Sequence, residues 1–258
     1  MAVAFKAVGP AGAGSTSTIS VDYPASKAAG DLAIIVVGTG IGAVTTPTGF
    51  TVADFVGVGS GGNDVDATRL YVFYRFLDGS EGASVVVDRG AGYTIAGILL
   101  YTGADTTTPL TLSTGKTQSP ASTAASTNAI ATKASDGSDM FLACYAHARD
   151  ALTASARTSS AFANVAATVT NRFNDFTNAA GGGGILVEEG DPSGNSTGDV
   201  SHSMTITSSV WVSFLVRINA AAAGPTSFTL TADQATFSYT GQAANSWFTA
   251  PRPSCRLT

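Results

Sequence analysis

Apolar residues along this chain fall into short runs and into alternating stretches, and both patterns are those of strands. Asp31-Leu-Ala-Ile-Ile-Val-Val37 is a β-branched run that stops at glycines, and it predicts a buried strand. Strands at Phe50–Val58 and Thr68–Leu77 follow, then a turn at Asp78-Gly-Ser-Glu-Gly82 and strands at Ala83–Asp88 and Tyr93–Tyr101. Turn residues at such short spacing belong to an antiparallel meander. Further strands are expected at Asn128–Ala134, Asp139–His147, Asn164–Thr170, Gly184–Glu188, Ser201–Thr207 and Val210–Ile218, with Lys116–Thr127 as a polar loop. Ala151–Ala167 is Ala-rich enough to suggest a helix, but its Ser and Thr content opposes one. The expected fold class is all-β: an antiparallel β-sandwich over 1–219, followed by a C-terminal extension over 220–258.

The alternation is imperfect in an informative way. In Arg69–Phe76 one face carries Leu70, Val72, Tyr74 and Phe76, and the other carries Arg69, Tyr71, Phe73 and Arg75. In Val210–Ile218 the second face is Trp211, Ser213, Leu215 and Arg217. A sheet face left to water alternates more cleanly. Something is expected to cover these outer faces: another layer of the same chain or a neighbouring subunit. Tyr71, Phe73, Trp211 and Leu215 are the candidate interface residues on them. Beyond the hinge-like Ala220-Ala-Ala-Ala-Gly-Pro225, Phe228-Thr-Leu-Thr231 with Ala235 repeats nine residues later as Phe237-Ser-Tyr-Thr240 with Ala244. Two repeats are too few for a solenoid. The segment reads as a simple hairpin, or as a β-arm that another surface completes through Phe228, Leu230, Phe237 and Tyr239.

Composition narrows the function classes. Only 12% of the 258 residues are charged, against a usual share of about a quarter. Thirteen basic residues against 18 acidic ones do not supply the clustered cations a nucleic-acid partner needs. Two cysteines make no disulfide scaffold. The longest uncharged stretch, Leu32–Ala53, is strongly apolar only to Val37, far short of the roughly 20 residues of a membrane span. No membrane insertion is expected. Met1–Gly14 carries no apolar run of signal-peptide length, so production in the cytosol is expected.

Motifs that carry chemistry lack their contexts. Val36-Val-Gly-Thr-Gly-Ile-Gly-Ala43 fits the dinucleotide fingerprint, yet Pro47 and Gly49 leave no room for the helix that would meet the pyrophosphate. Gly194-Asn-Ser-Thr-Gly198 fits the nucleophile elbow, but Asp199 and His202 follow Ser196 too closely to fold back on it. Cys144 and His147 would point to opposite faces of one strand, which argues against a shared metal and makes Cys144 a core residue. Asn63, Asp64 and Asp66 form an acidic loop without the full calcium pattern. Glu188, Glu189 and Asp191 read as surface acids before a turn, and Gly115-Lys-Thr117 lacks the upstream glycine of a phosphate loop. The expectation is therefore no catalytic residue, no cofactor and no metal ligand.

One set of pieces has a familiar order. Gly30-Asp31-Leu32 opens an apolar strand, followed by Thr46-Pro-Thr-Gly-Phe-Thr51, Tyr71-Val-Phe-Tyr-Arg75, Asp78-Gly-Ser-Glu-Gly-Ala83, Ala96-Gly97 and Tyr101-Thr-Gly-Ala-Asp-Thr-Thr-Thr-Pro109. With Asn195-Ser-Thr-Gly198 and Trp211-Val-Ser-Phe214, this resembles β-sandwich proteins of tailed phages and prophages, and the repeat after Pro225 is similar to the ends of phage tail-associated proteins. The resemblance implies a non-enzymatic virion component with a jelly-roll-like sandwich. It implies assembly in the host cytoplasm and residence in the virion, without fixing the place on the particle; a tail fibre or tail-tip component is expected slightly ahead of a head decoration protein. The partners it implies are further copies of the chain, as a homotrimer, and other virion proteins. A carbohydrate-binding or adhesive module for a host surface glycan is the other reading the sequence leaves open.

Overall fold

A computed structural model describes residues 2–59, 67–89, 92–131, 138–148, 158–165, 167–177, 182–192, 198–222, 226–232 and 235–241. The first half of the chain builds one sheet. Its strands are β1 (Ala4–Val8), β2 (Gly12–Gly14), β4 (Leu32–Thr39), β5 (Thr51–Val58), β6 (Thr68–Phe76) and β8 (Thr94–Thr102), with β3 (Thr18–Asp22) and β7 (Ser84–Asp88) paired separately. The order is β1-β8-β4-β6-β5, with β2 also on β8. The described part of the second half builds the other sheet from β9 (Leu110–Leu112), β10 (Lys116–Ser126), β11 (Met140–Ala148), β12 (Thr158–Ala163), β13 (Ala167–Thr177), β14 (Gly183–Pro192) and β15 (Ser201–Ile218). Its order is β10-β15-β11-β14-β13, with β9 and β12 also on β15. All pairings are antiparallel.

The two orders are one order. In each sheet the first strand of the path pairs with the last, the last with the second, the second with the fourth and the fourth with the third. The equivalence extends to details. β1 and β2 line up along β8 as β9 and β10 line up along β15. A buried Asp stands just before each central strand: Asp31 before β4 and Asp139 before β11. Asp31 accepts from the Ala28 N–H and the Lys6 ammonium, both at 2.7 Å, and Asp139 accepts from the Ala220 N–H at 2.8 Å. After the last strand of each half, Ala104 and Ala220 form a bridge, with reciprocal 2.8 Å bonds from Asp105 N to Asn219 O and from Ala221 N to Gly103 O.

Packing follows from the sequence of β4. Its apolar run has no polar face, so one row, Leu32, Ile34 and Val36, joins the core between the sheets, and the other row, Ala33, Ile35 and Val37, faces out. The β3–β7 pair covers that outer face with Ile19, Val21, Val85 and Val87. β11 behaves in the same way: Leu142 and Cys144 face the shared core, while Phe141, Ala143 and Tyr145 face out. Its cover is made by strands that continue past the sheet. β10 pairs first with Trp211–Ser213 of β15, then shifts register and pairs over Ser203–Ser209. Ala125, Phe162 and Met204 from this outer layer close the second outer core. The body is thus four layers of strand.

Several expectations change. The strand order is not that of a jelly roll, because each sheet is drawn from one half of the chain. Lys116–Thr127 is an edge strand rather than a loop; its Ser, Thr and Pro suit a half-exposed edge, where Pro120 costs no ladder bond. Of the expected strand over 128–134, only a bridge at Ile130 is seen among the described residues. Ser201–Ile218 is one strand, not two: β10 pairs with it on both sides of Ser209, and the Ser209 hydroxyl donates to the Ala148 carbonyl at 2.6 Å. Part of the suggested helix, Thr158–Ala163, is a strand. The candidate interface residues Tyr71 and Phe73 lie beneath the β3–β7 pair, and Trp211 and Leu215 lie in the second outer core. Their apolar character is explained by this chain's own layers.

The chain divides into two compact units, Met1–Ala221 and Ala222–Thr258. The second contains β16 (Thr226–Ala232) and β17 (Ala235–Gly241), paired as a hairpin with Phe228 opposite Tyr239 and Leu230 opposite Phe237. Directly opposed positions share a face, so all four lie on one side of the hairpin.

Close approach of the two sheets rests on Gly97 of β8, where an added Cβ would meet the ring of Phe173 from β13. Gly97→Val is expected to destabilise the body by about 1–3 kcal/mol through overpacking, read as a lower urea midpoint with an unchanged slope.

Candidate functional site

The alternation of β14 places Ile185 and Val187 in the shared core and turns Leu186 and Glu188 outward. The next residue, Glu189, points back between the sheets to Tyr101. The two adjacent acids are both buried, on opposite faces, and neither is the surface acid that the sequence suggested. Each is the centre of a polar cluster.

Glu188 meets His202 and Ser160 beneath the outer layer. His202 Nε2 is 2.9 Å from Glu188 Oε2 and 2.9 Å from Ser160 Oγ, and the Ser160 hydroxyl donates to Glu188. The Tyr145 hydroxyl sits 2.9 Å from Nδ1 on the other side of the ring. The His202 backbone N–H donates to Thr127 Oγ1 at 3.0 Å, and its carbonyl accepts from Thr127 N at 2.9 Å. Phe162 packs edge-on, with its ring centroid 4.6 Å from the imidazole. Ser159, just before Ser160, holds φ of 54°, in the sparsely populated left-handed region.

A serine, a histidine and an acid in contact invite comparison with a hydrolytic triad. A triad needs the hydroxyl on one imidazole nitrogen and the carboxylate on the other, so that the ring passes the proton along. Here Ser160 and Glu188 share Nε2, and a phenol occupies the Nδ1 side. The serine proton already goes to Glu188. The imidazole and the carboxylate are both fully buried. What this arrangement does is lock: β11, β12, β14 and β15 each supply one group, so the outer layer is fixed on the sheet in a single register.

Glu189 forms the second cluster. Tyr101 OH donates to Oε2 at 2.9 Å, and Arg172 Nη2 lies 2.5 Å from Oε1. The guanidinium sits 3.8 Å above the centre of the Phe5 ring. Burial pushes the Tyr101 phenol well above its ordinary pKa, and the Glu189 charge adds to that. The phenol therefore remains a donor, and the cluster ties β1 and β8 to β13 and β14.

The remaining candidates are accounted for singly. Cys144 is a free, buried core thiol, pushed up to about 12 by burial and so unreactive. His147 faces the opposite side of β11, across from Trp211 in register; its Nδ1 and the Trp211 Nε1 are buried without hydrogen-bond partners. Gly38 of the dinucleotide-like motif lies within β4, packed against Ile185, and no helix follows it. Asn63, Asp64, Asp66 and Ser196 lie outside the described residues, and so does the side chain of Asp191. Among the described residues, no three His, Cys, Asp or Glu side chains converge as metal ligands would. The sequence set His202 apart from Ser196 and offered it no other serine; the structure brings Ser160 to it. Ser160 was hidden because its segment read as Ala-rich helix; as a strand it places Ser160 and Phe162 on one face.

Compared with known proteins, the chain matches no family model, no curated relative and no solved structure at a significant level.

Two outcomes follow. Glu188→Ala leaves the buried His202 and the half-buried Ser160 without their acid and is expected to cost about 3–5 kcal/mol in chemical denaturation, against about 1–3 kcal/mol for Ser160→Ala. Burial lowers the His147 pKa from 6.5 to about 4. Because the unfolded chain binds that proton first, stability is expected to fall as pH drops from about 6.5 to about 4 and to level off below. NMR of the His147 ring, titrating near 4 rather than 6.5, checks this directly.

Proposed function

We propose that this chain is a non-enzymatic structural protein on the outside of a phage particle, placed in the tail fibre or tail tip ahead of the head surface, and assembled as a homotrimer with other virion proteins around it. The phage context and the trimer rest on the sequence resemblance. The observation that carries an assembly role is the contrast between the two units. The larger one covers both of its sheets with its own layers. The smaller one is a two-stranded hairpin with Phe228, Leu230, Phe237 and Tyr239 at positions on one face. A two-stranded hairpin is marginal in water by itself, and each large apolar side chain it buries against a neighbour contributes about 1.5–3 kcal/mol. The sharing of His202 Nε2 by Ser160 and Glu188 supports a structural role for that cluster.

Truncation after Ala223, with mass measured by light scattering, tests the proposal. The full chain is expected at the mass of a trimer and the truncated chain at a lower mass. A full chain that is monomeric at micromolar concentration and does not assemble on the particle overturns the oligomer. An oligomer unchanged by truncation overturns the role of the hairpin.

A further inference from the structure

The outer side of the β3–β7 layer meets the turn after β6 in an open cleft of about 270 Å³, lined by Tyr23, Thr48, Arg75, Glu81, Ser84 and Val86. Its polar floor is held in place before any ligand arrives. Arg75 Nη2 lies 2.8 Å from Glu81 Oε1 and 3.6 Å from Asp78 Oδ2. Glu81 also accepts from the backbone N–H groups of Asp78 at 2.8 Å and Gly79 at 3.0 Å, and its side chain is only 2% exposed. The guanidinium lies 5.7 Å from the centre of the Phe50 ring, and its Nε proton has no partner within the protein. Groups fixed in this way lose little freedom on binding.

The chemistry of the lining selects the ligand. Arg75 and Lys27, which sits 5.5 Å over the Tyr23 ring, are matched by Asp78 and Glu81. The site has no net charge with which to hold an ion. Thr48 and Ser84 add hydroxyls, and burial pushes the Tyr23 phenol up, against the pull of Arg75, so it stays protonated. Beside these polar groups stands Val86, a large apolar side chain left 57% exposed. A ligand that suits both has hydroxyls on its edge and C–H groups on its face. At about 270 Å³ the cleft falls below the roughly 300–1,000 Å³ of ordinary ligand pockets, so it takes one small ring, and its open mouth lets a longer chain run on.

We propose that this cleft binds a single neutral sugar ring of a glycan, with the C–H face on Val86 and the hydroxyls on Arg75, Ser84 and Thr48. The site goes beyond the assembly role proposed above and does not depend on it, since a chain that fails to form trimers still presents this cleft.

Saturation-transfer NMR on the full chain, with the methyl glycosides of glucose, galactose, mannose and N-acetylglucosamine at millimolar concentration, tests the proposal. Inorganic phosphate, followed through shifts of the cleft amides, is the ionic probe. At least one glycoside is expected to receive saturation, and phosphate to shift nothing. Val86→Glu, an exposed position whose change leaves the core intact, is expected to weaken binding about tenfold or more. Val8→Glu, an exposed position that does not line the cleft, is expected to leave it unchanged. No transfer to any of the four glycosides overturns the proposal. So does binding that survives Val86→Glu, or a site that takes phosphate and no sugar. None of these outcomes alters the mass by light scattering, so failure here is distinguishable from failure of the assembly role.

Discussion

Two strands that are apolar on both faces govern this molecule. Every position of β4 and of β11 is buried. Such a strand can border water on neither side, so each sheet needs cover on two sides. The inner sides cover one another. The outer sides cannot, and the chain meets the need with the β3–β7 pair on one sheet and the turned ends of β10 and β15 on the other. Leaving Ile35, Val37, Phe73 and Ile98 bare would forfeit about 1.5–3 kcal/mol each, a sum comparable to the 5–15 kcal/mol, roughly, by which whole domains are stable. The four layers are a consequence of two short runs of sequence.

Stacking strands in four layers creates a second requirement. Apolar faces attract without fixing register, so something must choose one alignment of each layer on the next. Two clusters of buried polar groups stand where layers meet. Glu188, His202, Ser160 and Tyr145 join the second outer layer to its sheet, while Glu189, Arg172 and Tyr101 join the two sheets. Asp31 and Asp139 repeat one device at the start of each central strand. Burying such groups costs desolvation, and well-packed apolar replacements are often as stable. The place of the two clusters at layer boundaries fits a role in alignment.

Much of this was legible in the sequence, for a physical reason. Strands that border a core announce themselves by β-branched runs and glycine stops, and β4, β6, β8 and β11 stand where those runs stand. The edge strands β10 and β12 carry no such signal: they are rich in Ser, Thr and Ala because one side of each meets solvent. The repeated topology is invisible because it resides in pairing order, and the two halves share little beyond an Asp ahead of an apolar run. The buried acids were misread because adjacent glutamates usually mean surface; only the pleat, which sends Glu188 and Glu189 to opposite faces, shows that each has its own partners. The excess of apolar residues on outer faces was read correctly as a demand for cover, and the cover proved to be this chain itself.

A body built from two equivalent halves can be one folding unit or two. The shared core contains Leu32, Ile34 and Val36 from one half and Leu142, Cys144 and Val212 from the other, and neither set is covered without its counterpart. The halves should therefore open together. Native-state hydrogen exchange across a denaturant series measures this amide by amide. The account predicts that the amides of β4 and β11 converge on one opening free energy and one dependence on denaturant. Two separate isotherms, one for each sheet, would contradict it.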